Sequence, residues 1–194
     1  MDSLLTKQHI KNLSAVSGSE GTMALTAIVT NKIVTSTNMK VGTYTIAAQP
    51  VSPALLSFTV TTVSGADTMG TIAVVGTNIY GVAQSETVTP VSGSTVYTTK
   101  VYASVTSLTG AGWVVNTTAD TIIVGTAGIV APTGYYFTAL QVVSTAVVAS
   151  QTNISGYTIG ALSTLSSLPV GLYPTRCSAI ALTSGTGLAY LAKI

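Results

Sequence analysis

At 194 residues and 19.6 kDa, the chain is long enough for one large domain or two small ones with real cores. Seven basic and five acidic side chains make only 6% of it charged, against about 25% in an ordinary soluble domain. The 47% hydrophobic share with a net charge of +2 excludes a disordered chain, and so few scattered bases form no patch for nucleic acid.

The ionic residues are unevenly placed. Between Val41 and Thr175 only Asp67, Glu86, Lys100 and Asp120 are charged, whereas Asp2, Lys7, His9, Lys11, Glu20, Lys32 and Lys40 crowd the first 40 positions. Residues 1–21 read as an N-terminal arm. Ser3 caps a short helix over Ser3–Leu13 with Leu4, Leu5, Ile10 and Leu13 on its apolar side, followed by the loop-like SAVSGSEG. This arm is the expected partner-binding element, through Leu4, Leu5, Lys7, Ile10, Lys11 and Leu13.

From Thr22 on, helix signals give way to β-branched Thr, Val and Ile, whose stiff side chains favour a pleated surface. The expected strands are Met23–Val34, Gly42–Ala48, Leu55–Val63, Thr71–Gly76, Val82–Thr89, Thr95–Ser107, Gly112–Thr117 and Thr121–Gly125. The turn clusters between them, such as QPVSP, SGADTMG and TPVSGS, recur at about the 8–12-residue spacing of an antiparallel sandwich. Leu56, Phe58, Val60 and Thr62 share one strand face, Ile72 and Val74 another, and Trp113 with Val115 anchors the core. The predicted fold is therefore all-β: an antiparallel β-sandwich, Ig-like or jelly-roll-like, over residues 22–130.

Residues 131–194 read as a smaller C-terminal β domain, with an extension that completes one sheet as the alternative. Its strands are expected at Phe137–Gln141, Val142–Ser150, Tyr157–Leu162, Cys177–Thr183 and Leu188–Lys193. TSGTG (Thr183–Gly187) is read as a hairpin turn, and SSLPVGLYP (Ser166–Pro174) as a connector stiffened by two prolines.

Few residue types here can carry chemistry. His9, the single imidazole, sits in the arm, away from the folded scaffold that a Ser-His-Asp site needs. Zinc wants Cys or His ligands and calcium several carboxylates, so no metal, cofactor or catalytic residue is expected, and the chain is read as not an enzyme. Asp67 and Asp120 suit Asx turns, and Glu86 with Lys100 suits a cross-strand pair on an exposed face. Tyr135, Tyr136, Tyr157, Tyr173 and Tyr190 fit buried or interfacial positions, with a carbohydrate-stacking surface as the alternative. The lone Cys177 forbids an internal disulfide and fits synthesis in a reducing compartment. The N-terminus lacks the cationic and apolar regions of a signal peptide, and no run of 18 apolar residues suggests a membrane span.

Two stretches resemble known proteins. The segment ADTMGTIAVVGTNIYGVAQSETVTPVSGSTVYTTKVYASVTSLTGAGW (Ala66–Trp113) resembles a β-rich module of tailed-bacteriophage virion proteins, on Thr71–Thr77, Gly81, Ser85–Thr87 and Lys100–Val105. The C-terminal stretch is similar to the closing domain of small phage structural proteins, on Leu168–Tyr173 and Ile180–Tyr190. The resemblance implies a non-enzymatic virion protein made in the host cytoplasm. Its leading form is a head decoration (cement) protein that binds the major capsid protein as a homo-oligomer, a trimer by preference. The alternative is a tail, neck or head-fibre component facing a host surface or carbohydrate. Composition points the same way: a folded monomer of this mass exposes roughly 8,600 Å², so a charge-poor surface of hydroxyls suits a subunit packed against copies or partners.

Overall fold

The computed structural model describes residues 19–39, 41–61, 67–114, 120–131, 134–154, 162 and 165–193. The predicted arm helix, with Leu4, Leu5, Lys7, Ile10, Lys11 and Leu13, lies outside the described residues. So do Thr62, Val115 and all of the predicted Tyr157–Leu162 strand except Leu162. Among the described residues, no helix is long and apolar enough to cross a membrane.

The chain divides into two compact units. One is Leu25–Val130; the other joins the described residues up to Ala24 with those from Ala131 onward.

In the first unit, β2 (Val29–Asn38), β9 (Thr121–Thr126), β4 (Leu56–Thr61) and β7 (Thr95–Tyr97) form one sheet in that order. A second sheet runs β3 (Gly42–Thr43), β8 (Ser104–Ala111), β5 (Thr71–Thr77), β6 (Ala83–Val88). Every strand pairing within these two sheets is antiparallel. The orders 2-9-4-7 and 3-8-5-6 are those of an eight-stranded jelly roll, the two-Greek-key sandwich, so the topology decides between the two sandwich types that the sequence left open. Strand alternation builds its core. Leu56, Phe58 and Val60 from β4 and Ile72 and Val74 from β5 are fully buried, joined by Tyr102, Leu108, Trp113 and Ile122.

Some expected strands are shorter or divided. Met23–Val34 breaks at Ala27–Ile28 between β1 (Ser19–Thr26) and β2. Gly42–Ala48 keeps only two strand residues, because the chain there crosses between sheets: Tyr44 N–H bonds Leu108 O (2.9 Å) and Ala47 N–H bonds Ile33 O (2.8 Å). Gly112–Thr117 is not a strand over its described part, since Gly112 takes a φ of +71° and Val114 bridges back to Thr68. Thr95–Ser107 divides into β7 and β8, and buried Thr98 explains why. Its hydroxyl accepts from Leu56 N–H (2.9 Å) and donates to Lys100 O (2.9 Å), turning the chain off β7. Thr98→Val is expected to cost about 1–3 kcal/mol by leaving Leu56 N–H unpaired, and Thr98→Ser much less. Denaturant midpoints followed by the emission of Trp113, the only tryptophan, check this.

In the second unit, the sequence-predicted strands fuse. β11 runs unbroken from Tyr135 to Asn153, and β12 from Gly171 to Lys193. The expected hairpin at Thr183–Gly187 is a correction: Gly185 sits inside β12 at a bend, with Ser144↔Thr186 and Val147↔Ser184 on either side. The connector reading of Ser166–Pro174 also fails at its end, because Pro174 already pairs with Ala139 within β12. The long antiparallel ladder from Asn153↔Cys177 to Tyr135↔Lys193 curls on itself. Residues 171–177 of β12 return to the opposite edge of β11 at Val142↔Gly171 through Phe137↔Cys177. Two long bent strands thus wrap a small core of Phe137, Leu140, Val142, Cys177, Ile180 and Leu182. β1 pairs with β12 as well, whereas the short β10 (Ile129–Val130) belongs to the first unit.

Candidate interaction surfaces

The few charged groups of the jelly roll are withdrawn from its β3-β8-β5-β6 face. In β6 the residues alternate: Ala83, Ser85 and Thr87 face outward, while Gln84, Glu86 and Val88 point in. Glu86 and Lys100 do not pair with each other as expected. Glu86 Oε2 accepts from the backbone N–H and hydroxyl of Thr99 (3.1 and 2.6 Å), and Lys100 Nζ donates to Ser85 O (2.7 Å). With Gln84 Nε2 on Val101 O (2.7 Å), these bonds stitch the 99–101 segment along the outermost strand. An inward charge and a covering segment are two ways of blunting a sheet edge. The Gln49 side chain does similar work at Val105, donating to its C=O (2.9 Å) and accepting its N–H (2.8 Å) beside the β8 bulge.

Glu86 Oε1 and the Tyr102 hydroxyl are buried without a hydrogen-bond partner among the described residues. Burial first, and the Glu86 charge second, push the Tyr102 hydroxyl well above the ordinary phenol range. Such a phenol stays protonated and offers no nucleophile. Asp67 is half-buried next to the Thr68–Val114 bridge, and Asp120 is buried at the start of β9, where its carbonyl accepts Met39 N–H (3.0 Å). No group of three or more His, Cys, Asp or Glu gathers among the described residues.

What remains outward on this sheet is uniform. Across four strands the register aligns Thr43, Thr109, Ala73 and Thr87; the next row is Ser107, Val75 and Ser85. Ala73 and Val75 give β5 a stripe of methyl groups, and hydroxyl columns flank it on β8 and β6. No outward position of β5, β6 or β8 carries a charge. At the tip of the β5–β6 hairpin, Asn78 Oδ1 accepts from the N–H groups of Tyr80 and Val82 (2.9 and 3.0 Å). That turn holds Tyr80 out at 75% exposure and Val82 at 60%.

Among the described residues, the tyrosine surface weighed as the alternative is not assembled. Tyr190 is buried and donates to Gln141 Oε1 (2.6 Å), Tyr173 donates to Pro169 O (2.9 Å), and Arg176 lies 5.4 Å over the Tyr136 ring. Tyr157 lies outside the described residues, and Tyr135 is half-buried on β11. The exposed rings among the described residues are instead Tyr80 and Tyr97 (53%) of the jelly roll, and sequence reasoning passed over both. The NIYG turn was the available signal for Tyr80, because an Asn two residues before an aromatic can fix it outward through an Asx turn.

Cys177 is fully buried in the second unit. Burial raises its thiol pKa, and a side-chain hydrogen bond with Thr175 offsets part of that rise. A native thiol held above its unfolded value stabilises the fold fully below about pH 8.5. The contribution fades at higher pH, because the unfolded chain then releases a proton that the native one keeps. The unfolding midpoint is therefore expected to fall above that pH, and Cys177→Ala to remove the first part of the fall, as read by denaturation at pH 7 to 10.

Compared with protein-family models, curated proteins and solved structures, the chain matches none.

Proposed function

We propose that the chain is a non-enzymatic structural subunit of a tailed-phage virion, a head decoration protein that binds the outer surface of the shell with the major capsid protein as its partner. The observation that carries this reading is the exposed β3-β8-β5-β6 face without a charged side chain. Charges on a free surface keep molecules apart in solution. A broad face without them is suited to being covered. The jelly roll adds support by analogy, since viral capsid and lectin domains use it, though a fold by itself hosts many functions. A modest contact repeated over many sites stabilises a shell by mass action and avidity.

The test is the copy number of this chain per particle relative to the major capsid protein. Decoration requires a number that scales with capsid area, and heat or low salt should rupture particles lacking the chain sooner. A handful of copies, or none, overturns the reading. The second reading, a tail, neck or head-fibre component with a glycan-binding role, is favoured by exposed Tyr80 and Tyr97, because aromatic rings supply large apolar faces with a polar tip. Glycan binding that disappears in Tyr80→Ala or Tyr97→Ala would support it over decoration.

A further inference from the structure

We propose that the outer face of β3-β8-β5-β6 is a self-association surface whose occupant is the same face of a second copy. This deepens the assembly reading and rests on it for the setting in which the contact is used.

The argument is one of self-complementarity. A serine or threonine hydroxyl is both donor and acceptor, so a column of them can pair with a copy of itself. A column of carboxylates or ammonium groups cannot. Here Ser107 and Thr109 on one side and Ser85 and Thr87 on the other flank the Ala73–Val75 stripe. Turning a second copy over about a two-fold axis lays methyl stripe on methyl stripe and hydroxyl column on hydroxyl column. That is the isologous geometry of most homodimers. Short side chains also allow close sheet-on-sheet approach at about 10 Å. With no outward charge on β5, β6 or β8, the two faces meet without like-charge repulsion.

The area sets the strength. Three strands about 4.8 Å apart and about seven residues long at about 3.3 Å each, with the two residues of β3 beside them, give a face of about 360 Å². Two copies would bury about 700 Å², below the ~1,000 Å² expected of a specific interface. The isolated pair is therefore weak and concentration-dependent. It becomes persistent where many copies are held close together, because effective concentration replaces affinity.

Sedimentation equilibrium of the full chain over a concentration series tests this, with Val75→Lys and Ser85→Lys as separate variants and Val170→Lys, an exposed position in the other unit, as the control. The expected result is reversible dimerisation of the parent and the control, with a Kd at least tenfold higher in both face variants while Trp113 emission shows them folded. Parent-like association in the face variants overturns the proposal, as does a parent that stays monomeric to about 1 mM. Should one lysine unfold the chain, the other decides. If the chain dimerises through this face but is absent from virions, the decoration reading fails and the contact stands. If it decorates particles and the face variants self-associate as the parent does, the contact fails and the decoration reading stands.

Discussion

Gly185→Ala is expected to unfold the C-terminal unit at moderate denaturant, costing about 3–5 kcal/mol from two separate causes. Gly185 has a φ of +84°, a conformation that costs an L side chain about 1–3 kcal/mol. A Cβ there would also stand 2.4 Å from Thr145 O and 2.6 Å from Ala146 Cα. Those backbone atoms cannot retreat. Ala146 is fixed on its far side by two bonds to Leu168, Ala146 N–H to Leu168 O (3.0 Å) and Leu168 N–H to Ala146 O (2.7 Å). Between Ser144↔Thr186 and Val147↔Ser184, two residues of β11 oppose the single Gly185 of β12, a bulge that bends the ribbon. Forcing a methyl group into it adds an overpacking cost of about 1–3 kcal/mol.

Cys177, the only cysteine and fully buried in this unit, is the probe. A thiol reagent should label it about two to four orders of magnitude faster in Gly185→Ala when labelling follows the opening equilibrium. Gly134 separates the two causes. Its φ of +83° is nearly the same, but nothing lies within 4 Å of a Cβ there, so Gly134→Ala carries the conformational cost alone. Equal labelling rates in the two variants would mean that the corner at Gly185 is not closed as described.

Strand class and the buried faces of β4 and β5 were legible in the sequence because both follow from local rules. Thr, Val and Ile runs favour extended backbone, and alternate positions face one way, which is enough to place Leu56, Phe58, Val60, Ile72 and Val74 inward. Strand ends were less legible because they depend on distant partners. β7 stops where the Thr98 side chain meets Leu56 N–H, a bond between residues 42 apart in sequence, and β3 stops where the chain leaves β8 for β2. The glycine at 185 misled for a physical reason. A positive-φ glycine serves a tight turn and a bulge equally well, and only the partner strand tells them apart. The proposed interaction face was legible as a deficit of charge but not as a place, since it exists only once the register sets Thr109, Ala73 and Thr87 side by side. Turn chemistry alone could not separate Tyr80, held outward, from Tyr190, turned onto Gln141.

Phe58→Ala tests the other unit at its centre and should lower jelly-roll stability by about 3–5 kcal/mol. Phe58 is fully buried on β4, an inner strand of its sheet, opposite Val124 of β9 on one side and Val96 of β7 on the other. Leu56 and Val60 share its face and are equally buried, so the surrounding side chains cannot collapse into the space the ring leaves. The loss combines the transfer of an aromatic ring with an unfilled cavity. Against a total of about 5–15 kcal/mol for a domain of this kind, it should lower the melting midpoint by about 15–30 °C, followed by Trp113 emission. Thr59, one residue on, faces outward and shares a hydroxyl bond with Thr95 (2.7 Å). Thr59→Ala should cost well under about 1 kcal/mol, as exposed positions do. The contrast between neighbouring residues is the stringent part, because a strand shifted by one position would exchange their environments completely. A Thr59→Ala loss as large as that of Phe58→Ala would displace β4 from its register, and with it the inward assignment of Leu56 and Val60 on which this core is built.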